Sequence, residues 1–315
     1  MPPFPKPRFA FDYAAPAEIA RLRRHKAVRG VPPKADDHLL IATWNIANLG
    51  AQERRDEDHR VIAEILGWFD LIAVQEARAN FAALEDLRRL LGPRYRVLFS
   101  DTAGNDERMA FLYDTRRATL LEKVGEISVP PAQLTRVKLP GVRQAFGGFD
   151  RTPYLAAFQV GPRSSLLLVN VHLFYGSAGK RDVDRRALET FAVARWAEQR
   201  RKSRYSFCRE VIALGDFNMP KKDTSDPIFR ALTSRGLQLP EHTSEVGSSL
   251  ASDKHYDQIA FFPGATKNCF RQMGVFDFDA VLFRRLWERR GKADYDRYVR
   301  YYISDHRPLW MELAV

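Results

Sequence analysis

The stretch Val211-Ile-Ala-Leu-Gly-Asp-Phe-Asn218 runs four apolar residues into a glycine and then ends on an aspartate and an asparagine. A short continuous apolar run of this kind predicts a strand covered on both faces. Its end is the informative part, because β-propensity does not select Asp216 and Asn218 there. The same pattern recurs on either side. Leu39–Ile46 (LLIATWNI) carries Asn45, Asp70–Glu76 (DLIAVQE) closes on Glu76, and Ser165–Leu173 (SLLLVNVHL) carries His172. Tyr256–Phe262 (YDQIAFF) opens with Asp257, and Asp305-His306 stands before the closing run Arg307–Val315 (RPLWMELAV).

Further strand-like runs are RYRVLFS (94–100), RMAFLY (108–113) and PYLAAFQV (153–160). Helical patterns lie between them. Val61, Ile62, Ile65, Leu66 and Phe69 share one face, as do Phe81, Leu84, Leu87 and Leu91, and then Val183, Ala187, Phe191 and Ala194. Strands dominate and helices are inserted singly, which predicts a layered α/β sandwich formed as one domain over residues 38–315. Residues 1–37, rich in proline and then basic, read as an arm or peripheral helix with little apolar surface. Residues 125–148 and 263–302 read as surface excursions.

With 315 residues, the chain is long enough for a substantial core. No apolar run approaches the roughly 18 residues of a spanning helix. The N-terminus lacks the apolar segment of a secretory signal, and only Cys208 and Cys269 are present, so a disulfide framework and a structural zinc site are excluded. A cytoplasmic setting is the expectation. The net charge is +11, from 50 basic and 39 acidic side chains. It is concentrated in residues 1–35 (+6), 180–204 (+5) and 284–300 (+4), which leaves −4 elsewhere. Basic faces of this kind suit a polyanion, although solvated helices often carry them too. Tyr295, Tyr298, Tyr301 and Tyr302 interleave with the last of these segments, and they suit helix packing better than base stacking.

A carboxylate after a strand is usually a helix cap or turn, and a lone histidine is usually a satisfied core residue. Six polar strand ends in one chain point instead to a shared destination, since a buried charge without a partner is costly. Convergent carboxylates need a counter-charge. Oxygen ligands without cysteine suit Mg²⁺, Mn²⁺ or Ca²⁺. Two histidines near carboxylates supply acid and base groups close to neutrality. Together these suit hydrolysis of a phosphate ester.

The segments TWNIANL (43–49), AVQEAR (73–78), NVHL (170–173), LGDFN (214–218), YDQI (256–259) and SDHRPL (304–309), in this order, resemble the endonuclease/exonuclease/phosphatase superfamily. The resemblance implies a four-layered α/β sandwich of two mainly antiparallel sheets flanked by helices. It implies that Glu76 is the principal metal carboxylate, with Asn45 beside it and Asp305 as a further ligand. Asp216 and Asn218 are then the pair that orients the attacking water and the phosphate oxygens, and His306, held by Asp257, touches the scissile phosphate.

Within that superfamily, three segments resemble the pancreatic deoxyribonuclease-like branch. Asp106–Phe111 (DERMAF) implies a Glu107–His172 pair. Glu76-Ala77-Arg78 implies a DNA-contacting Arg78, and Phe149–Pro153 (FDRTP) implies a phosphate-binding Arg151. The chain departs from secreted deoxyribonucleases in lacking a signal segment and disulfides, which removes a digestive role from the expectations. The expected function is a Mg²⁺-dependent phosphodiesterase, a DNA endonuclease of low sequence specificity. One alternative is a phosphomonoesterase or lipid-headgroup phosphodiesterase using the same site. A second is a non-catalytic nucleic-acid-binding protein on this fold, against which the complete set of polar strand ends argues.

Overall fold

The computed structural model describes residues 4–162, 164–241, 244–252 and 254–315. Pro2 and Pro3 of the arm lie outside the described residues. The strands are β1 (His38–Leu49), β2 (Leu71–Arg78), β3 (Tyr95–Phe99), β4 (Glu107–Asp114), β5 (Thr119–Glu126), β6 (Tyr154–Gln159), β7 (Ser165–His172), β8 (Val211–Asp216), β9 (Asp257–Phe261), β10 (Phe270–Val275) and β11 (Leu309–Ala314). The helices are α1 (Ala15–Val28), α2 (Asp56–Leu66), α3 (Ala82–Leu91), the single turn α4 (Pro131–Leu134), α5 (Lys180–Lys202), α6 (Pro227–Thr233), α7 (Ala265–Cys269) and α8 (Arg284–Tyr302).

One sheet has the order β10-β11-β1-β2-β4-β3 and the other β5-β6-β7-β8-β9. Each contains one parallel pair, β1–β2 and β7–β8, and is otherwise antiparallel. Alternation along the strands builds the layers. Leu40, Ala42 and Trp44 of β1 face outward, into a core shared with α1, α2, α3 and α8. Leu39 and Ile41 face inward, with Leu166 and Leu168 of β7 and Ile212 and Leu214 of β8. Val211 and Ala213 face the opposite outer core, under α5 and α6. The result is helices, sheet, sheet, helices: the four-layered sandwich expected from the sequence. No helix among the described residues is long and apolar enough to cross a membrane.

Three segments differ in detail from their sequence reading. Within 263–302, read as a surface excursion, β10 takes an edge position beside β11, while Tyr295, Tyr298, Tyr301 and Tyr302 of α8 are buried in the first outer core, the helix packing expected of them. The charged residues that made this stretch look external occupy the other side of the helix. Within 125–148, Ile127, Val137 and Phe146 pack into the second outer core. The N-terminal arm is seated as well. Leu22 is fully buried, Phe11 and Tyr13 meet Phe283 with ring centroids 5.9 and 4.6 Å away, and Glu18 accepts the Phe283 N–H at 3.0 Å.

A polar bridge crosses the layer between the sheets. Gln75 donates to Thr43 Oγ1 at 3.0 Å and to Asn170 Oδ1 at 2.6 Å, and Asn170 donates to the carbonyls of Val74 and Ala110 at 3.1 and 2.9 Å. All three side chains are fully buried, so each bond stands in for a lost contact with water. Asn170→Ala strands two carbonyls and one amide. We expect it to lower stability by roughly 2–4 kcal/mol, read as a lower midpoint in urea unfolding at unchanged slope.

Candidate active site

Both parallel pairs end at one edge of the sandwich, and the antiparallel strands next to them begin there. His172 stands opposite Asp216, and Asp216 opposite Asp257, in the ladder register. Glu107 is the first residue of β4. Strand alternation turns Asn45, Glu107, His172, Asp216 and Asp257 toward the space between the sheets, since the inward residues of their strands share their parity. In β8 this geometry requires a glycine. Gly215 has φ +136, and a Cβ there would lie 2.1 Å from the Val171 carbonyl oxygen.

Glu76 has the opposite parity, that of outward-facing Ile72 and Val74. The chain reorients it by shifting the register between Val74 and Ala77 and giving Glu76 a left-handed backbone, φ +61. Asn48 (φ +49) and Asn218 (φ +51) beside the site adopt the same uncommon conformation. Asn48 donates its N–H to Glu76 Oε2 at 2.9 Å, and Asn218 donates its own to Asp216 Oδ1 at 2.8 Å.

Asp216 lies at the centre. Its Oδ2 is 3.7 Å from His172 Nε2, 3.8 Å from His306 Nε2 and 3.2 Å from the Asn45 amide nitrogen, which also donates to Glu76 Oε1 at 2.9 Å. Each imidazole is gripped from behind. His172 Nδ1 is 2.9 Å from Glu107 Oε2, and His306 Nδ1 is 2.7 Å from Asp257 Oδ2. The carboxylates and both rings are buried, apart from half-buried Asp305.

Electrostatics follow from this crowding. Burial works against the Glu107 carboxylate, but the hydrogen bond and charge of His172, with Arg151 and Arg78, hold it down at about 2. Burial likewise opposes a charged His306, yet Asp257 and Asp216 lift it well above the ordinary histidine range. Burial pushes Asp305 up to about 6, with His306 pulling down and Glu76 pushing further up.

The two arginines bind inward. Arg151 is 3% exposed and donates from Nε to the His172 carbonyl and from Nη2 to the Leu173 carbonyl, both at 2.8 Å. Arg78 donates from Nη2 to Asn48 Oδ1 at 2.6 Å and lies 3.8 Å from Glu107. All eleven sequence-nominated residues therefore converge. The sequence reading missed Ser304, whose hydroxyl donates to the Asn45 carbonyl at 2.7 Å and accepts the His306 N–H at 3.0 Å. It also missed Trp44, which donates to the His306 carbonyl at 2.7 Å. Both sit within quoted segments, TWNIANL and SDHRPL, but nothing in their spacing marks this bond pattern.

The donor set fits a hard divalent cation. Asn45 Oδ1 is buried with no hydrogen-bond partner among the described residues, beside Glu76 and in a cluster with excess carboxylate. Ligand atoms of Glu76, Glu107 and His172 lie within 4.8 Å of one another, as do those of Asp216, Asp257 and His306.

A two-sheet sandwich with paired imidazoles and carboxylates at one edge defines the class of phosphoester hydrolases to which the comparisons also lead. Residues 42–306 match the model of the Endonuclease/Exonuclease/phosphatase family, and the chain belongs to that family. A search of curated protein sequences finds no match. Among solved structures, the chain is similar to a mannosyl-6-phosphatase of Bacteroides thetaiotaomicron (19% identity, TM-score 0.56, covering 88% of this chain and 100% of that one). It is similar to D. rerio TDP2 in complex with a single-strand DNA product (15%, 0.56, 88% and 99%) and to the human Nocturnin catalytic domain (14%, 0.57, 90% and 95%). At these identities the likeness shows the fold alone.

The Asp305 shift gives a signed expectation. A carboxyl raised to about 6 favours the fold below its unfolded value near 3.8, and that contribution is lost as pH rises through 6. A divalent cation held by Asp305 would take the proton's place, and the rise in Tm with Mg²⁺ or Mn²⁺ is then expected to grow between pH 5 and 7.5. Asp305→Asn flattens this dependence, and thermal unfolding with and without metal across that range measures it.

Proposed function

We propose that this chain is a divalent-metal-dependent phosphodiesterase acting on nucleic acid, a DNA endonuclease of low sequence specificity. The observation that carries the reading is the pair of carboxylate-held imidazoles whose Nε2 atoms converge, at 3.7 and 3.8 Å, on one oxygen of Asp216. A phosphate ester undergoing hydrolysis needs proton traffic at two oxygens, that of the entering water and that of the leaving group. Two oriented rings over one carboxylate provide for both.

Asn45, Glu76 and Asp305 would hold the metal. Mg²⁺ is the ion proposed, with Mn²⁺ and Ca²⁺ as substitutes, and when bound it supplies a Lewis acid that offsets charge on the phosphate oxygens. The protein groups do the rest. Asp257 fixes the His306 tautomer and keeps its proton at neutral pH, so His306 presents Nε2–H to a phosphate oxygen. Glu107 holds His172 through an ion-pair contact of 2.9 Å, and His172 serves the leaving oxygen. Asp216, between the rings and tied to the Asn218 N–H, orients the water that bonds to phosphorus as the ester P–O bond breaks. Asn218 is itself held through its amide to the Leu173 carbonyl at 2.8 Å. Arg151 contributes positive charge from below and fixes the turn after His172, and Arg78 does the same beside Glu107 and Asn48.

A polymeric substrate is supported by the placement of the two excursions. Most apolar side chains of 125–148 and of α8 pack in or against the outer cores, with Trp287 of α8 left exposed. The basic segments 180–204 and 284–300 provide sequence-independent attraction to phosphates.

Purified protein with Mg²⁺ or Mn²⁺ is expected to nick supercoiled plasmid, and His306→Ala to reduce nicking by roughly 10²–10⁴-fold in protein whose far-UV circular dichroism still shows the native fold. Full activity in His306→Ala would remove the site assignment. An intact plasmid alongside release of phosphate from sugar or inositol phosphates, or of headgroup from sphingomyelin, would replace the nuclease with a small-ester hydrolase.

A further inference from the structure

Two tyrosines stand at the mouth of the site on segments that also carry its chemistry. Tyr175 lies three residues beyond His172, and Tyr256 immediately precedes Asp257. The Tyr256 ring is 6.1 Å from the His306 ring, with the planes inclined by 33°. The Tyr175 ring is 6.2 Å from that of Tyr256 and nearly perpendicular to it, at 87°. The two rings thus form a corner that opens beside the imidazole. Tyr175 is 41% exposed and Tyr256 half-buried, and neither belongs to the three apolar cores.

The backbone beneath both rings is held on either side of the corner. The Tyr256 carbonyl accepts the Phe217 N–H at 2.9 Å, which locks its backbone between Asp216 and Asn218. Tyr175 is followed by Gly176 at φ +62, where a Cβ would come within 2.5 Å of the Phe174 ring and 2.7 Å of the Asp182 carboxylate. Ser177 then donates its N–H to Asp182 at 2.6 Å and its carbonyl accepts from buried Arg186 at 3.0 Å. Cations flank both rings: Lys254 Nζ lies 5.6 Å from the Tyr256 centroid, and Arg186 Cζ 5.8 Å from that of Tyr175.

An exposed ring and a half-buried one with adjacent cations, on backbone held in place before any ligand arrives, form a stacking platform for a flat heteroaromatic ring attached to phosphate. We infer that Tyr175 and Tyr256 form a subsite that stacks an unpaired nucleobase next to the scissile phosphate, so that the enzyme prefers single-stranded or frayed DNA to the paired interior of a duplex. The inference rests on the phosphodiesterase reading above and specifies its substrate. A base inside a duplex has both faces covered by its neighbours and offers none to the corner, whereas an unpaired base offers both. Stacking is tolerant of base identity, because every base has a π-face, which agrees with low sequence specificity. Exposed Lys254, beside the Tyr256 ring, is available to a phosphate of the same strand, whereas buried Arg186 is spent on the Ser177 carbonyl.

The test compares kcat/KM for a dinucleoside monophosphate with that for the same phosphodiester carrying an abasic tetrahydrofuran residue on one side, then on the other. The wild type is expected to prefer the base-bearing substrate by roughly ten- to a hundredfold on one side, mainly through KM. Tyr175→Ala and Tyr256→Leu bring that ratio close to one, and Tyr175→Trp retains it. A single-stranded oligonucleotide is likewise cleaved faster than the same sequence as a duplex. A wild-type ratio near one, a ratio unchanged in Tyr175→Ala, or a preference for duplex overturns the inference while leaving the phosphodiesterase intact. An equal fall in kcat on every substrate in both variants would make the rings supports for His306, not a subsite. Hydrolysis of none of these diesters, at any Mg²⁺ or Mn²⁺ concentration, removes the underlying reading and the subsite with it.

Discussion

One carboxylate oxygen organises the edge of the sandwich. Asp216 Oδ2 is approached by two imidazoles and an asparagine amide while its other oxygen takes a backbone N–H. Glu76, Glu107, Asp257 and Asp305 crowd around it, and charges of one sign cannot be withdrawn from water together unless something opposes them. Part of the opposition is internal: His172, His306, Arg78 and Arg151 lie within 4 Å of these carboxylates. That opposition holds Glu107 down at about 2, and the rest is expressed at Asp305, which burial and Glu76 push up to about 6. A site that holds its protons and charges this unevenly has unbalanced acid capacity on one side, where Asn45 Oδ1 also lacks a hydrogen-bond partner among the described residues, and a cation there would relieve both strains at once.

Most of this edge was legible in the sequence because a strand has period two. Once Leu39 and Ile41, or Ile212 and Leu214, are known to face inward, Asn45 and Asp216 must face inward as well. The exception shows where that arithmetic stops. Glu76 has outward parity, and only a bulge and a left-handed residue return it to the site. Its role could be implied by family resemblance but not by alternation. Left-handed asparagines are tolerable because a short polar side chain bonds locally, so Asn48 and Asn218 carry a weak sequence signal, whereas a left-handed glutamate carries none.

What was not legible depends on distant partners. Gln75 and Asn170 look like interruptions in apolar strands until the two sheets face one another, when they bridge the interlayer and satisfy the Val74 and Ala110 carbonyls. The N-terminal arm looked peripheral because its apolar residues are few and scattered. Its seat is made of Phe283 and Tyr298, more than 250 positions away, with Arg55 over Tyr13 at 5.1 Å. Charge made the segment around α8 look external, although its tyrosines already read as helix packing. The basic residues between 284 and 300 described one face of the helix, while four buried tyrosines described the other. Composition sums the two faces, and only packing separates them.

The outer layer also reaches the site from behind. Glu189, on the inner side of α5, is fully buried and raised to about 7 by that burial, against the pull of the Phe174 and Asp150 N–H groups and of Arg185. Those two N–H groups, bonded to it at 3.0 and 3.1 Å, belong to the segments that follow His172 and precede Arg151. Arg151 closes the loop by donating to the carbonyls of His172 and Leu173. The turn after β7 is therefore clamped on its N–H side by a helix and on its carbonyl side by an arginine. With the backbone fixed at both ends, His172 has little freedom beyond rotation of its ring, and Glu107 removes that. Rigid placement of one imidazole requires a strand from one sheet, a strand from the other and a helix from the flank, which is why a four-layered fold is suited to hold this site at its edge.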